Sequence, residues 1–247
     1  MTELFLSAAV ALLFALTHAF GARLRLLAKA PRSIWLSLAG GVSVAYVFVH
    51  LLPELAAHQR AIASLAGEGG APAAAESQIW LIALLGLGIF YGLERLARRG
   101  AACEREAGRA ARPPRATFWI HLISFAVYNF IVGYLLLHRE SGIGALGFYA
   151  VAMALHFLVN DHGLREQHGK AYDREGRWLL AAAPACGWAL GLFAAVPALA
   201  VSALFALLAG GVVLNVLKEE LPEDRDSRFW AFALGAACYA ALLIAVG

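Results

Sequence analysis

A chain of 247 residues that is 61% hydrophobic and only 15% charged, with a mean hydropathy of +0.69, is not a soluble globular domain, where about 25% of residues are charged. Three cysteines (Cys103, Cys186, Cys238) lack metal-ligand spacing and exclude a disulfide framework. A net charge of +3 becomes informative only when divided by side, and no nucleic-acid partner is expected.

Apolar runs long enough to cross a hydrocarbon core of about 30 Å recur along the whole chain. They predict eight spans, at about 3–22, 33–57, 78–98, 116–138, 143–164, 177–196, 198–218 and 228–246. The first has no basic residue ahead of it and no small-residue cleavage site behind it, so it reads as a retained span. The second ends in "AYVFVHLLPEL" after an "AGG", with Pro53 near its end. A Gly/Ala/Pro loop, "GEGGAPAAAE", leads to the third. The fourth follows a basic, mobile loop over 99–115, "GAACEREAGRAARPPR" at its centre. Pro184 predicts a kink in the sixth span and Pro197 a tight turn before the seventh. The seventh repeats the pattern of the second, with "LNVLKEELPED" after an "AGG".

The odd-numbered loops and their flanks hold 18 of the 20 Lys and Arg residues, and the even-numbered ones hold Arg60 and Arg139. The positive-inside rule then puts the odd loops in the cytoplasm and both termini outside. In that topology the two similar helix ends face opposite sides of the membrane. This is the signature of an inverted repeat of spans 1–3 and 6–8, with spans 4 and 5 between.

Ionisable side chains deep in a bilayer cost at least about 2.5 kcal/mol each and suggest function. The fifth span carries His156 and Asn160 on one face, with Asp161 one step round and His162 and His168 toward its cytoplasmic end. The antiparallel fourth span carries Asn129 near its middle and His121 about two turns nearer the cytoplasm. Imidazole, amide and carboxylate together suit a borderline divalent cation. The spacing equally allows an interhelical hydrogen-bond network. His50, Glu54, Glu94, Glu219 and Glu220 close helices as wet carboxylates and imidazoles or as vestibule ligands. His18 reads as a satisfied interior histidine.

These segments resemble the ZIP (Zrt/Irt-like) metal-ion permeases over nearly the whole chain. "GGVSVAYVFVHLLPEL", "IFYGLERLARR" and "LFALLAGGVVLNVLKEELPE" look like the family's second helix, the end of its third and its seventh. In the family, the fourth and fifth helices carry His-Asn-Phe-x-(Asp/Glu)-Gly and His-Glu-x-Pro-His-Glu-x-Gly, which build a two-metal centre at mid-membrane. Here they read "YNFIVG" and "HFLVNDHG": Asn129, Phe130, Gly133, His156 and Gly163 match, and Asp161 stands for the last Glu. Tyr128, Val132, Phe157, Val159 and Asn160 depart from the pattern.

The resemblance implies an all-α bundle of eight transmembrane helices in a 3+2+3 inverted arrangement, forming one domain in the inner membrane of a bacterium. It implies a permease, not an enzyme, that moves a divalent metal cation, zinc foremost, toward the cytoplasm by alternating access. The cation is substrate rather than cofactor, and His156, Asn129, Asn160 and Asp161 would ligate it. The expected partners are that cation and the lipid bilayer, and a homodimer is compatible with the fold. Two rival readings are a homologue that has lost transport and serves as a regulatory or partner subunit, and an intramembrane metallohydrolase.

Overall fold

The computed structural model describes residues 2–21, 34–65, 77–106, 115–138, 143–220 and 228–246. The regular elements among them are all helices. In chain order they are α1 (Thr2–Phe20), α2 (Ile34–Tyr46), α3 (Leu52–Leu65), α4 (Gln78–Glu106), α5 (Arg115–Leu135), α6 (Ile143–His168), α7 (Arg177–Phe193), α8 (Ala198–Glu220) and α9 (Phe229–Val246). Among the described residues, five helical stretches are long and apolar enough to cross a membrane: Thr2–Phe20, Ile34–Ala63, Gln78–Gly100, Arg115–Leu135 and Ala198–Lys218. α7 is shorter, at 17 residues. α6 carries six histidine, asparagine and acidic residues in its second half, from His156 to His168.

Unlike a water-soluble protein, the bundle exposes large apolar side chains while its largely apolar interior also buries polar groups. Leu84, Phe193 and Ile244 are 62%, 87% and 73% exposed, whereas His18, Asn129 and Asp161 are 1%, 0% and 5% exposed. Only a solvent that welcomes hydrocarbon and rejects charge produces that distribution. Tryptophans mark the edge of this solvent. Trp35, Trp119, Trp178 and Trp230 lie in the first or second turn of α2, α5, α7 and α9. All four helices start at the end of the bundle that holds the α6–α7 turn with Lys170 and Arg174, hereafter the basic end. This is the aromatic belt of a membrane–water interface.

Three expected boundaries shift. The second predicted span does not close near residue 57: α2 runs through a π-helical turn, Val47–Leu51, into α3 and reaches Leu65. Pro53 has no N–H to donate and its ring crowds the preceding turn. The widened turn, closed by Leu52 N–H to Val47 O, lies directly before it and lets the helix continue. α4 likewise continues to Glu106, into the stretch read as a mobile loop, and residues 107–114 fall outside the described residues. So do the first, second and seventh interhelical loops. Finally, α6 reaches His168, and a single left-handed residue, Gly169 (φ 55°), turns the chain into the π-helical segment Tyr172–Gly176 that leads into α7. Pro184 sits inside α7, and the Pro197 carbonyl accepts from Ala200 N (2.8 Å) at the start of α8.

The closest helix crossings rest on glycine. Gly41 of α2 and Gly235 of α9 each abut the other helix's backbone, at Phe232 O and Leu38 O. Gly210 of α8 and Gly86 of α4 do the same, at Ala83 O and Leu207 O, as do Gly133 of α5 and Gly187 of α7, at Pro184 O and Phe130 O. In lipid, where apolar burial drives no association, such backbone approach is a main source of packing energy. A Cβ at Gly210 would overlap the α4 backbone, so Gly210→Val is expected to destabilise the protein by about 3 kcal/mol or more. Gly88 and Gly92 have open space at the same test. Their alanine variants should match the wild type in thermal unfolding, and equal behaviour of all three variants would refute this packing.

The expected pairing of the fourth and fifth spans takes an unexpected form. The close backbone partner of α5 is α7, and α6 lies against α1 and α2. α5 and α6 meet through ring edges, Tyr128 with Phe157 and with His156, each at 6.3 Å between centroids.

Candidate functional site

Three polar groups lie along the bundle, and the middle one joins two of the four candidate ligands. α1 delivers His18 in its last turn. Its Nδ1 lies 2.8 and 3.1 Å from the two carboxylate oxygens of Asp161 on α6. Its Nε2 lies 2.9 Å from Oδ1 of Asn129 on α5. The Asn129 amide nitrogen donates to Phe125 O at 2.8 Å, which fixes the amide so that its oxygen faces the ring. Both ring nitrogens therefore face acceptors, the hydrogen-bonding pattern of an imidazolium. The Tyr172 hydroxyl approaches Asp161 from the start of the α7 segment, and the Phe157 ring packs on His18 at 4.7 Å.

Asn129 and Asp161 thus share a partner that the sequence reading did not include among the ligands. His18 is a satisfied interior histidine, as expected, but two site candidates satisfy it. His156 is buried against the Tyr128 and Phe157 rings. Its Nε2 has no hydrogen-bond partner, so it is a lone pair or N–H sealed in the interior. Asn160 is also buried, one turn from His156 on the same helix. Among the described residues no three His, Cys, Asp or Glu side chains cluster closely enough to hold a metal ion. The group is a hydrogen-bonded network with one imidazole beside it.

Toward the end opposite the basic one lies a cavity of about 630 Å³ bounded by α2–α3, α5, α6 and α8. Its polar lining is a stripe at helical spacing, His50, Glu54 and His58. His50 Nε2 lies 3.4 Å from Glu54 Oε2, and His58 Nδ1 lies 2.9 Å from Ser202 Oγ on α8. Along α5 the cavity reaches inward past His138 and Leu135 to Val132 and Tyr128. The Tyr128 hydroxyl is buried without a partner. The π-helical turn is what allows His50, before Pro53, and His58, after it, to occupy one continuous helix.

At the basic end a third group ties four helices together. Glu94 of α4 accepts from Lys218 Nζ of α8 (2.8 Å) and from Arg98 (2.9 Å). His121 of α5 lies 3.6 Å from the same carboxylate, and its other nitrogen is 3.3 Å from His168 Nε2. Burial lowers the His168 pKa to about 4, against an opposing pull from Glu94, so this ring is neutral at pH 7. The reading of Glu94 as merely a wet helix end is therefore corrected: it is 7% exposed and paired. The side chains of Glu219 and Glu220 lie outside the described residues.

No protein-family model matches the chain, and no curated protein matches it. Apolar helices that expose hydrocarbon and bury ionisable groups define an α-helical membrane protein.

Proposed function

We propose that the chain is a divergent ZIP-like permease that carries a divalent metal cation, zinc foremost, by alternating access toward the basic, cytoplasmic end. The observation that carries this reading is the line of polar groups: a histidine-lined cavity entering from one end, the buried network beyond Tyr128, and the Glu94 group at the other end. A protein whose only task is to be stable in lipid gains little from such a line. Interhelical polar contacts in bilayers average about 0.6 kcal/mol, less than the insertion cost of one ionisable group.

The glycine crossings support the 3+2+3 inverted arrangement of eight spans, with α2 and α3 counted as one. Overlaying spans 1–3 on spans 6–8 exchanges the α2–α9 crossing with the α4–α8 crossing. The "AGG" of each partner supplies the glycine, Gly41 and Gly210. Such repeats rock about a midplane site.

In this reading His156, Asn129, Asn160 and Asp161 bind one cation, with His156 Nε2 as the donor already without a partner. A second cation is not expected. Two divalent ions about 3.5–4 Å apart need bridging carboxylates, and among the described residues Asp161 is the one carboxylate in the network. Calorimetric titration with zinc or cadmium should give at most one site, weakened at least tenfold by Asp161→Asn. Two tight sites lost together in that variant would contradict the stoichiometry.

The pairing of Asp161 with His18 favours one rival, a ZIP-fold homologue that has lost transport and serves another membrane protein. The metallohydrolase reading has no such support, since it needs about three strong ligands around one open position. The proposed topology has its own test. Cys103, whose side chain lies outside the described residues, should resist an impermeant thiol reagent in sealed cells and react after lysis. Labelling in sealed cells would reverse the orientation.

A further inference from the structure

The turn between α6 and α7 builds a second site, which borders the Glu94 group at His168 but does not rest on cation transport. A cavity of about 330 Å³ lies between this turn and the start of α5, lined by Arg115, Phe118, His168, Lys170, Arg174 and Glu175. Its charges are three cations against one carboxylate, because His168 is neutral at pH 7. The other acid of the turn is already engaged. Asp173 takes a two-point contact from Arg165, Nε to Oδ1 at 2.9 Å and a terminal nitrogen to Oδ2 at 3.0 Å. That contact braces the turn and leaves Lys170 and Arg174 without a nearby counter-charge from Asp173. Glu175 approaches Arg115 only loosely, at 3.8 Å.

Depth and neighbourhood identify the occupant. Trp178 is half-exposed at the second position of α7, with the Arg177 guanidinium 4.8 Å from its ring centre, and Trp119 stands one turn into α5. Tryptophans at this position sit at the headgroup level of a bilayer, so the cavity faces lipid phosphates. A cationic pocket at the headgroup level matches the phosphate of an anionic lipid.

We infer that this cavity is a binding site for the headgroup of one anionic phospholipid, its phosphate held by Arg115, Lys170 and Arg174. Glu175 accepts a hydrogen bond from a headgroup hydroxyl at the expense of some phosphate affinity.

Native mass spectrometry of the purified full chain, delipidated and then titrated with phosphatidylglycerol or phosphatidylcholine, tests it. One phosphatidylglycerol should bind at least tenfold more tightly than phosphatidylcholine. Each cation near an anionic surface contributes about fivefold, so Lys170→Gln with Arg174→Gln should weaken phosphatidylglycerol about thirtyfold and leave phosphatidylcholine unchanged. Glu175→Gln should strengthen it, a gain that mere damage to the fold does not produce. Equal retention of the two lipids, or a Glu175→Gln variant that weakens phosphatidylglycerol, would overturn the site. Complete displacement of the lipid by 10 mM inorganic phosphate (roughly the level at which a weak free-anion site fills) would overturn the lipid as occupant.

Discussion

Replacing His18 by alanine is expected to destabilise the protein by about 3–5 kcal/mol, the range for removing one partner of a buried ion pair. The reason is what remains. Asp161 is 5% exposed, so its carboxylate would lose its closest donor with no water to replace it, and the Asn129 oxygen would lose its partner too. A neutral interhelical contact in a bilayer is worth only about 0.6 kcal/mol, so the magnitude separates the two descriptions of the network. Thermal unfolding in detergent should show a fall of roughly 10 °C. The double variant His18→Ala/Asp161→Asn should recover part of it, because the stranded charge is removed. A loss below about 1 kcal/mol for His18→Ala would mean that the network is neutral and weakly coupled.

Restoring ligands at the cavity floor should have the largest effect on metal binding. Tyr128 and Val132 line the inner end of the cavity, one residue before and three after Asn129. Tyr128→His with Val132→Asp would add an imidazole and a carboxylate there, on a helix already close to His156. Even outer partners of metal ligands change affinity about tenfold to a hundredfold. The double variant is therefore expected to bind zinc at least about a hundredfold more tightly than the wild type, read by competition with a chromogenic chelator. Unchanged affinity would show that this level of α5 does not face the cation route.

The fold was legible wherever one physical rule governs a segment. Uninterrupted apolar runs mark α1, α5 and α8 to within a few residues of their observed ends. Where two rules compete, the reading slipped. Pro53 signals a helix end, yet a π-helical turn absorbs the missing hydrogen bond and the helix runs on to Leu65. The polar stretch after His162 signals a loop, yet Gly169 alone turns the chain.

The candidate site was legible within a helix and illegible between helices. Asn129, His156, Asn160 and Asp161 stand out by depth and spacing, and all four are buried. His18 is 143 residues from Asp161 in the chain, and no periodicity links them. The usable signal was weaker: His18 is the one ionisable residue in α1 beyond its first turn, at a depth that matches Asp161 when the two helices are aligned on the basic end. The Lys218–Glu94 pair escaped for the same reason, as a contact across 124 residues.

Metal flux tests the central claim most directly. Purified protein should be reconstituted into sealed vesicles loaded with a zinc-sensitive dye, and zinc entry compared for wild type, His156→Ala and protein-free vesicles. The account predicts saturable entry in wild type, reduced at least tenfold by His156→Ala in protein that unfolds at the wild-type temperature. Entry no faster than in protein-free vesicles, for wild type in either orientation and with zinc, cadmium and manganese alike, would contradict the permease and leave the non-transporting homologue.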